Sequence, residues 1–543
     1  MAKKIIYQIL PRLWGNIGGK NIKNGTLTDN GCGKFSSIDT ISLDYIRSLG
    51  VSHVWYTGII RHATAEDKEG CIPSSGDWVK GRAGSPYSIT DYYDVNPYLA
   101  DNPEERMDEF IDLVRRTHEA GMKVIIDFVP NHVARDYRKF TAAHPAPTGM
   151  AALGETDDNS VHWKESNDFF YYPGTPLTLP MKHQTYLEMP AMASGNAYTA
   201  TPGVNDWYDT IKLNYCDVHT ETWEKMYNIV DFWVRQGVDG FRCDMVELVP
   251  PAFFKWLISK VKQDHPGIMF IAEVYQKASY SKYIREVGFD LLYDKSGMYD
   301  AVRAIVEKNV DDSGVPVEAW QSTKRITGNW QSLGDLQPYM LNFLENHDEQ
   351  RFASDFFGKK AGNAFAALYA SLYFNQSSFM LYAGEEVGER GMDNEGFSGT
   401  DGRTTIFDWW APSALTRLYR FIHGETEALT PEEASLLAEY RKALTMAAEA
   451  PAISSGVTYD LCYCNYASDG FNADRHFAFL RDFGDETVLV ACNFSANDAD
   501  MRICIPEHAF QWLGMPETAS LNHNEPINVK VPAMNAVTLK LCQ

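Results

Sequence analysis

The sequence predicts an α/β fold: a closed (β/α)8 TIM barrel with an inserted domain after its third strand and a C-terminal all-β sandwich domain. Three observations predict it. Eight short apolar runs alternate with amphipathic stretches, the period switching between that of a strand and that of a helix. The alternation stops once, after "DFVPNHV", for about 80 residues rich in aromatics, Pro and Gly, too long for an ordinary connection. Beyond about residue 455 strands follow one another with no helices between them. The implied boundaries are 1–131 and 217–454 for the two parts of the barrel, 132–216 for the insertion and 455–543 for the tail. An open doubly wound sheet is the alternative. Its dinucleotide-binding version needs a glycine fingerprint after the first strand, and "LPRLWGNIGGKN" has no GxGxxG.

The elements read as follows. "KIIYQIL" is a first strand, "IDTISLDYIRSLG" a helix and "VSHVWY" a second strand. The helix "PEERMDEFIDLVRRTHEAG" is marked at both ends: Asn102 caps it, Glu104 and Glu105 sit in its first turn, and Gly121 follows its end. "MKVIIDFV" is the third strand, and the insertion containing "HWKESNDFFYYPGTP" comes next. The rhythm resumes with helix "TETWEKMYNIVDFWVRQG", strand "VDGFRCD", helix "PAFFKWLISKVKQ", and strands "IMFIAEV", "FDLLYD", "YMLNFL" and "SSFMLYAG". The last barrel helix is "TPEEASLLAEYRKALTMAAEA", with Thr430 as cap and Pro431 in its first turn. "VTYDLCYCN", "HFAFLRDF", "ETVLVACNF", "MRICIP" and "INVKVPAMNAVTLKL" are the strands of the tail.

Composition narrows the function. Lys and Arg number 49 against 72 Asp and Glu, a formal net charge of -23, which repels polyphosphate surfaces. Nucleic acid and anionic membranes are therefore excluded as partners, and the acidic balance itself reads as solubility. No run approaches the roughly 18 apolar residues of a membrane span, and the N-terminus lacks a long apolar region with a cleavage site. The expectation is a cytoplasmic protein. Nine cysteines are scattered without the paired spacing of a zinc site and read as reduced thiols, with Cys462 and Cys464 on one face of a strand.

In a barrel the residues that reach a substrate come from the C-terminal ends of the strands. Four strands here finish in polar residues: Asp127, with Asn131 and His132 just beyond; Arg242 and Asp244; Glu273; and Asn346, His347 and Asp348. Taken singly, a strand-terminal Asp is commonly a helix cap and a lone His commonly a hydrogen-bonded core residue. Convergence of four strand ends on one barrel mouth is what favours a site. Asp244 and Glu273 lie 29 residues apart, one strand–helix unit, which puts them on adjacent strands. Arg242 shares a face with Asp244 and can hold it ionised, while the apolar flanks of Glu273, "FIA" and "VY", favour a raised pKa suited to a general acid. Paired carboxylates of this kind serve glycoside hydrolysis.

These residues also carry a resemblance. "DFVPNH" (127–132), "GFRCD" (240–244), "AEV" (272–274) and "ENHD" (345–348) are similar, in order, to the four conserved regions of the α-amylase family, glycoside hydrolase family 13, and the likeness extends over essentially the whole chain. The resemblance implies that Asp244 is the nucleophile, Glu273 the general acid and base, and Asp348 the carboxylate that stabilises the transition state. It implies further that Arg242 orients Asp244, that His132 and His347 bind sugar hydroxyls, that Asp127 belongs to the substrate site, and that Tyr87 of "SPYSITDYYDV" stacks under the sugar. The insertion and the tail then correspond to the family's domains B and C. The implied activity is a retaining α-glucan hydrolase acting on α-1,4 links of starch, maltodextrin or maltooligosaccharides. An α-glucosidase, a glucosyl transferase or isomerase, and a non-catalytic carbohydrate-binding relative are the alternatives. No cofactor is needed for the chemistry. Asn131 matches a structural calcium ligand of the family, but the Lys-His pair that often follows the nucleophile is replaced by Glu247 and Leu248, and the metal loop DxNxDG is not evident in "KNGTLTDNGCGKF".

Overall fold

The computed structural model describes residues 3–67, 71–137, 149–216, 218–311 and 316–542. Eight parallel strands close into a barrel: β1 (Ile5–Ile9), β2 (His53–Tyr56), β3 (Lys123–Phe128), β4 (Gly240–Cys243), β5 (Met269–Ala272), β6 (Leu291–Tyr293), β7 (Met340–Phe343) and β8 (Ser378–Tyr382), with β1 pairing β8 to shut the ring. All eight predicted strands are present. They read as continuous apolar runs because helices cover their outer face and packed side chains fill the inner one; every residue of β1 and β8 is buried. Register brings Arg242 of β4 level with Asp127 of β3 and Ile271 of β5. Gly240 starts β4 because strands approach closely there: a Cβ would meet the Met269 carbonyl oxygen at 2.9 Å.

The helices follow the predicted order. Helix α1 (Thr40–Ser48) is capped by Asp39, and α2 (Arg106–Glu119) is preceded by a 3-10 turn, Pro103–Glu105, that Asn102 caps. Helices α3 (Glu221–Arg235) and α4 (Pro251–Asp264) flank β4 in sequence. The later helix α5 (Pro431–Glu449) begins at a capping box in which Thr430 accepts from Glu433 N and the Glu433 side chain reaches back.

Two excursions rise from the C-terminal ends of the strands. After β2 an antiparallel pair, Ile60–His62 with Ile89–Val95, carries Tyr87 at the start of its return strand; no element was predicted there. After β3 the ladder His132–Ala134 with Thr210–Lys212 ties the ends of the long connection to each other, and Tyr171–Tyr172 pairs with Ala191–Met192 inside it. Trp78, Leu177, Leu179, Ala191 and Tyr208 form a small separate core under these loops.

At the C-terminal end Val457–Asp460, His476–Phe483, Glu486–Asn493 and Asn535–Cys542 make a four-stranded antiparallel sheet, and Ala499–Ile503 pairs with Ile527–Val531. Two expectations fail locally. A helix, Glu507–Leu513, lies between Ala499–Ile503 and Ile527–Val531, where only strands and turns were expected. Cys462–Asn465 is a helical turn, so Cys462 and Cys464 do not alternate on a strand. Asp460 Oδ1 accepts from Cys462 N at 2.7 Å and bends the chain out of the sheet. Among the described residues, no helix is long and apolar enough to cross a membrane.

Candidate active site

The four polar strand ends meet around one guanidinium. Arg242, fully buried on β4, stands with Nη1 2.7 Å from Asp244 Oδ1 and Nη2 3.0 Å from Glu273 Oε2; Asp127 and Asp348 lie farther out, at 3.7 and 3.9 Å. The rings of Trp55, Tyr87 and Tyr293 surround it, centroids 5.3–5.7 Å away, so this cation is held by aromatic faces as well as by carboxylates. A buried Arg in this position needs its anions, since either sign alone would be an uncompensated buried charge.

Each predicted residue has a defined setting. Asp244 follows directly on β4, its N–H bonded to the Phe128 carbonyl. Burial drives its carboxyl above the ordinary range, Glu273 and Asp348 push the same way, and Arg242 opposes them. Glu273 follows directly on β5 and is almost fully buried. Its surroundings differ from the apolar setting expected from its flanks: Oε2 accepts from Met245 N at 2.8 Å and Oε1 from the Tyr275 hydroxyl at 2.5 Å, in addition to the nearby guanidinium. Phe270, Ile271, Ala272 and Val274 are buried as expected, but the last flanking residue, Tyr275, turns its hydroxyl onto the carboxyl, and both line the cavity. Met245 takes the left-handed conformation, φ 44°, which costs a non-glycine residue roughly 1–2 kcal/mol and aims its N–H at Glu273.

Asn346 turns the chain after β7, its Oδ1 accepting from the N–H groups of Asp348 and Glu349 at 2.9 and 2.8 Å. His347 is thereby turned inward and Asp348 toward the opening. The Asp348 side chain is 41 % exposed. Burial works to raise its pKa, but His347, 3.0 Å away, together with Arg242 and Arg403 outweighs this and draws it down to about 2. Gln8 Nε2 lies 2.7 Å from His347 Nδ1, and the opposite ring nitrogen, Nε2, faces Asp348. Tyr87 stacks its ring on His347, centroids 5.2 Å apart at 26°, with its hydroxyl 2.5 Å from Nε2. One face of Tyr87 is thus already covered by the imidazole.

Asp127 sits beneath this layer, accepting from Trp55 Nε1, Gly58 N and the Tyr87 hydroxyl at 3.2–3.3 Å. Burial raises its pKa against the pull of Arg242 and His347. His132 packs against Trp207 and is held neutral at a pKa of about 3 by burial and by the charges of Lys212 and Lys80. A cavity of 280 Å³ opens above Asp244, Glu273 and Asp348, with Tyr87, His132 and Tyr275 among its walls. Lys80 and Asp209, an ion pair at 3.2 Å, close part of its rim, as do Trp207 and Phe407.

Trp207 lies in an aromatic stretch of the sequence, Asp206–Tyr208, whose composition suits stacking on a sugar ring. Lys80, Asp209 and the hydroxyl of Tyr275 were not singled out. Tyr275 carried a signal, its spacing of two from Glu273, which places both side chains on one side of an extended chain. Lys80 and Asp209 belong to loops whose course no local pattern specifies.

The calcium position implied for Asn131 does not fit a metal. Asn131 Oδ1 accepts from the ammonium of Lys212, which also donates to the Leu248 carbonyl at 2.9 Å. Lys212 is buried, 3 % exposed, and burial draws its pKa down to about 7; charged or neutral, its amino group fills the place beside Asn131 Oδ1. Asn131 Nδ2 meanwhile donates to the Gly195 carbonyl at 2.9 Å.

The family model for the α-amylase catalytic domain matches residues 8–409. Among relatives, a cyclomaltodextrin glucanotransferase of Geobacillus stearothermophilus is 22% identical over 70% of this chain and 50% of its own length. A glucan 1,6-alpha-glucosidase of Streptococcus dysgalactiae subsp. equisimilis is 22% identical over 71% of this chain and 65% of its own. The chain therefore spans between half and two thirds of the length of these relatives. A solved structure, the maltogenic alpha-amylase AmyB from Thermotoga neapolitana, superposes over 99% of both chains with a TM-score of 0.62 at 20% identity, a likeness of fold.

Proposed function

Because the chain belongs to the α-amylase family, glycoside hydrolase family 13, we propose that it is a retaining hydrolase cleaving α-1,4-glucosidic bonds of starch, maltodextrin or maltooligosaccharides. The observation that carries this reading is the single Arg242 guanidinium shared by Asp244 and Glu273 at 2.7 and 3.0 Å, with Asp348 facing them across the cavity. Two carboxylates gathered on one fork support the close spacing, about 5–5.5 Å, that retention requires.

Asp244 attacks the anomeric carbon and forms a β-glycosyl ester as the glycosidic bond breaks. Glu273 gives its proton to the departing glycosidic oxygen. In the second half, Glu273 takes a proton from water, the water oxygen bonds to the anomeric carbon, and Asp244 leaves as carboxylate. Asp348, held ionised by its neighbours, accepts hydrogen bonds from ring hydroxyls as the sugar flattens toward an oxocarbenium ion. His347 and neutral His132 are placed to contact the same ring.

A second reading within the family, an α-glucosidase taking one or two terminal sugars, is favoured by the cavity's volume. At 280 Å³ it lies at the lower limit of ligand pockets, about 300–1,000 Å³. Reducing-sugar release from soluble starch, pullulan and maltooligosaccharides, with Asp244→Asn as control, tests both readings. Release from short oligosaccharides alone supports the second, and release from none of them overturns the hydrolase reading.

A further inference from the structure

The loop after β8 brings together Glu389, Asp393 and Glu395, with one oxygen of each within 4.8 Å of the others. Glu389 is 3 % exposed and Glu395 fully buried. Glu389 accepts from Arg390 N and Ala414 N, Asp393 from the Ser413 hydroxyl, and Glu395 Oε2 from Thr405 N, all at 2.7–3.0 Å. These are neutral donors. Among the described residues none of the three carboxylates has an ion-pair partner, and the nearby arginines are engaged elsewhere: Arg351 with Glu345, Arg417 with Glu433 and Arg390 with Asp355.

The second observation is Glu395 Oε1. It is buried and has no hydrogen-bond partner among the described residues. A buried carboxyl oxygen without a donor, beside two further carboxylates, is satisfied either by a proton, which burial and Glu389 favour on Glu395, or by a cation shared with its neighbours. A groove of 1030 Å³ lined by Glu389, Asp393 and Ser413 gives solvent access to the cluster. All donors are carboxylate oxygens, which selects a hard cation, and three protein carboxylates suit calcium better than magnesium, which is bound by one or two and keeps several waters.

We propose that Glu389, Asp393 and Glu395 form a calcium site that pins the loop after β8 to the barrel. The loop runs on to Arg403, which donates to the Asp348 carbonyl at 2.7 Å, and Gly402, whose carbonyl accepts from Arg351 N at 2.7 Å. Calcium therefore stiffens the support of Asp348 without touching substrate. The inference does not depend on which bond the enzyme cleaves.

The full chain is stripped with chelator and titrated with calcium chloride, with magnesium chloride in parallel, while thermal unfolding and bound metal after gel filtration are measured. Expected is a saturable rise in Tm of at least about 2 °C with one calcium per chain. Asp393→Asn, on the exposed member, and Glu395→Gln, which keeps an acceptor for Thr405, each weaken calcium binding by at least about tenfold. No bound calcium and no Tm response in the wild type overturn the proposal. So does a Glu395→Gln variant that is more stable than metal-free wild type while wild type ignores calcium, since Glu395 then holds a proton instead. A response to magnesium alone overturns the choice of metal.

Discussion

The Tyr275 hydroxyl donates to Glu273 Oε1 at 2.5 Å, while the Met245 N–H holds Oε2 at 2.8 Å. The two bonds fix the direction in which the Glu273 carboxyl faces the cavity. Tyr275→Phe removes one of them. kcat/KM on maltooligosaccharides is expected to fall by about tenfold or more, the size of a hydrogen bond to a charged group. Wild-type kcat/KM in the variant would show that Tyr275 only packs beside Glu273.

Glu273→Gln keeps the shape of the side chain and removes the acid–base function proposed for it. Turnover of maltooligosaccharides should fall about 10²- to 10⁴-fold. An aryl glycoside with a good leaving group needs no proton in the first step, so its glycosylation should suffer far less. Equal losses on both substrates, seen in burst kinetics, would remove Glu273 from the acid's role.

Glu345 and Arg351 form a buried pair at 2.9 Å, each 1 % exposed. Burial pushes Glu345 up from 4.5 to about 7 despite the opposing charge of Arg351. A raised carboxyl contributes stability fully below its unfolded pKa and loses it as pH rises through the folded one, here between about 4.5 and 7. Arg351→Met should therefore cost about 3–5 kcal/mol at pH 8, where the wild-type pair is ionised and the variant must bury an unpaired charge or take up a proton against the pH, and clearly less at pH 5.5, where Glu345 holds a proton in both. Urea denaturation at the two pH values gives the difference; a pH-independent cost would contradict the assignment.

Lys212→Met leaves Asn131 Oδ1 and the Leu248 carbonyl without their donor. Each orphaned buried oxygen costs about 1–3 kcal/mol. The ladder Thr210–Lys212 with His132–Ala134 should loosen first, so limited proteolysis is expected to cut within 132–216 while the barrel persists. Wild-type resistance in the variant would show that the ammonium is dispensable.

The barrel was legible because strands buried on both faces read as apolar runs, and its polar ends were legible because polar residues are rare there. What escaped was set by loops. Lys212 as the buried donor to Asn131 depends on a ladder between residues about 80 positions apart, which no local spacing announces. Cys462–Asn465 looks like a strand by alternation, and the side chain of Asp460, folding back on Cys462 N, makes it a turn. The expected apolar setting of Glu273 failed because the flanking Tyr275 was read by its ring, whereas its hydroxyl meets the carboxyl, and because Met245 reaches it from the turn after the neighbouring strand.

The central claim is double displacement through Asp244, and the stereochemistry of the first product reports on it most directly. Proton NMR of a maltooligosaccharide digest, followed from the earliest minutes before mutarotation, should show the α-anomer of the newly formed reducing end. Initial appearance of the β-anomer would mean direct attack by water and would contradict the account.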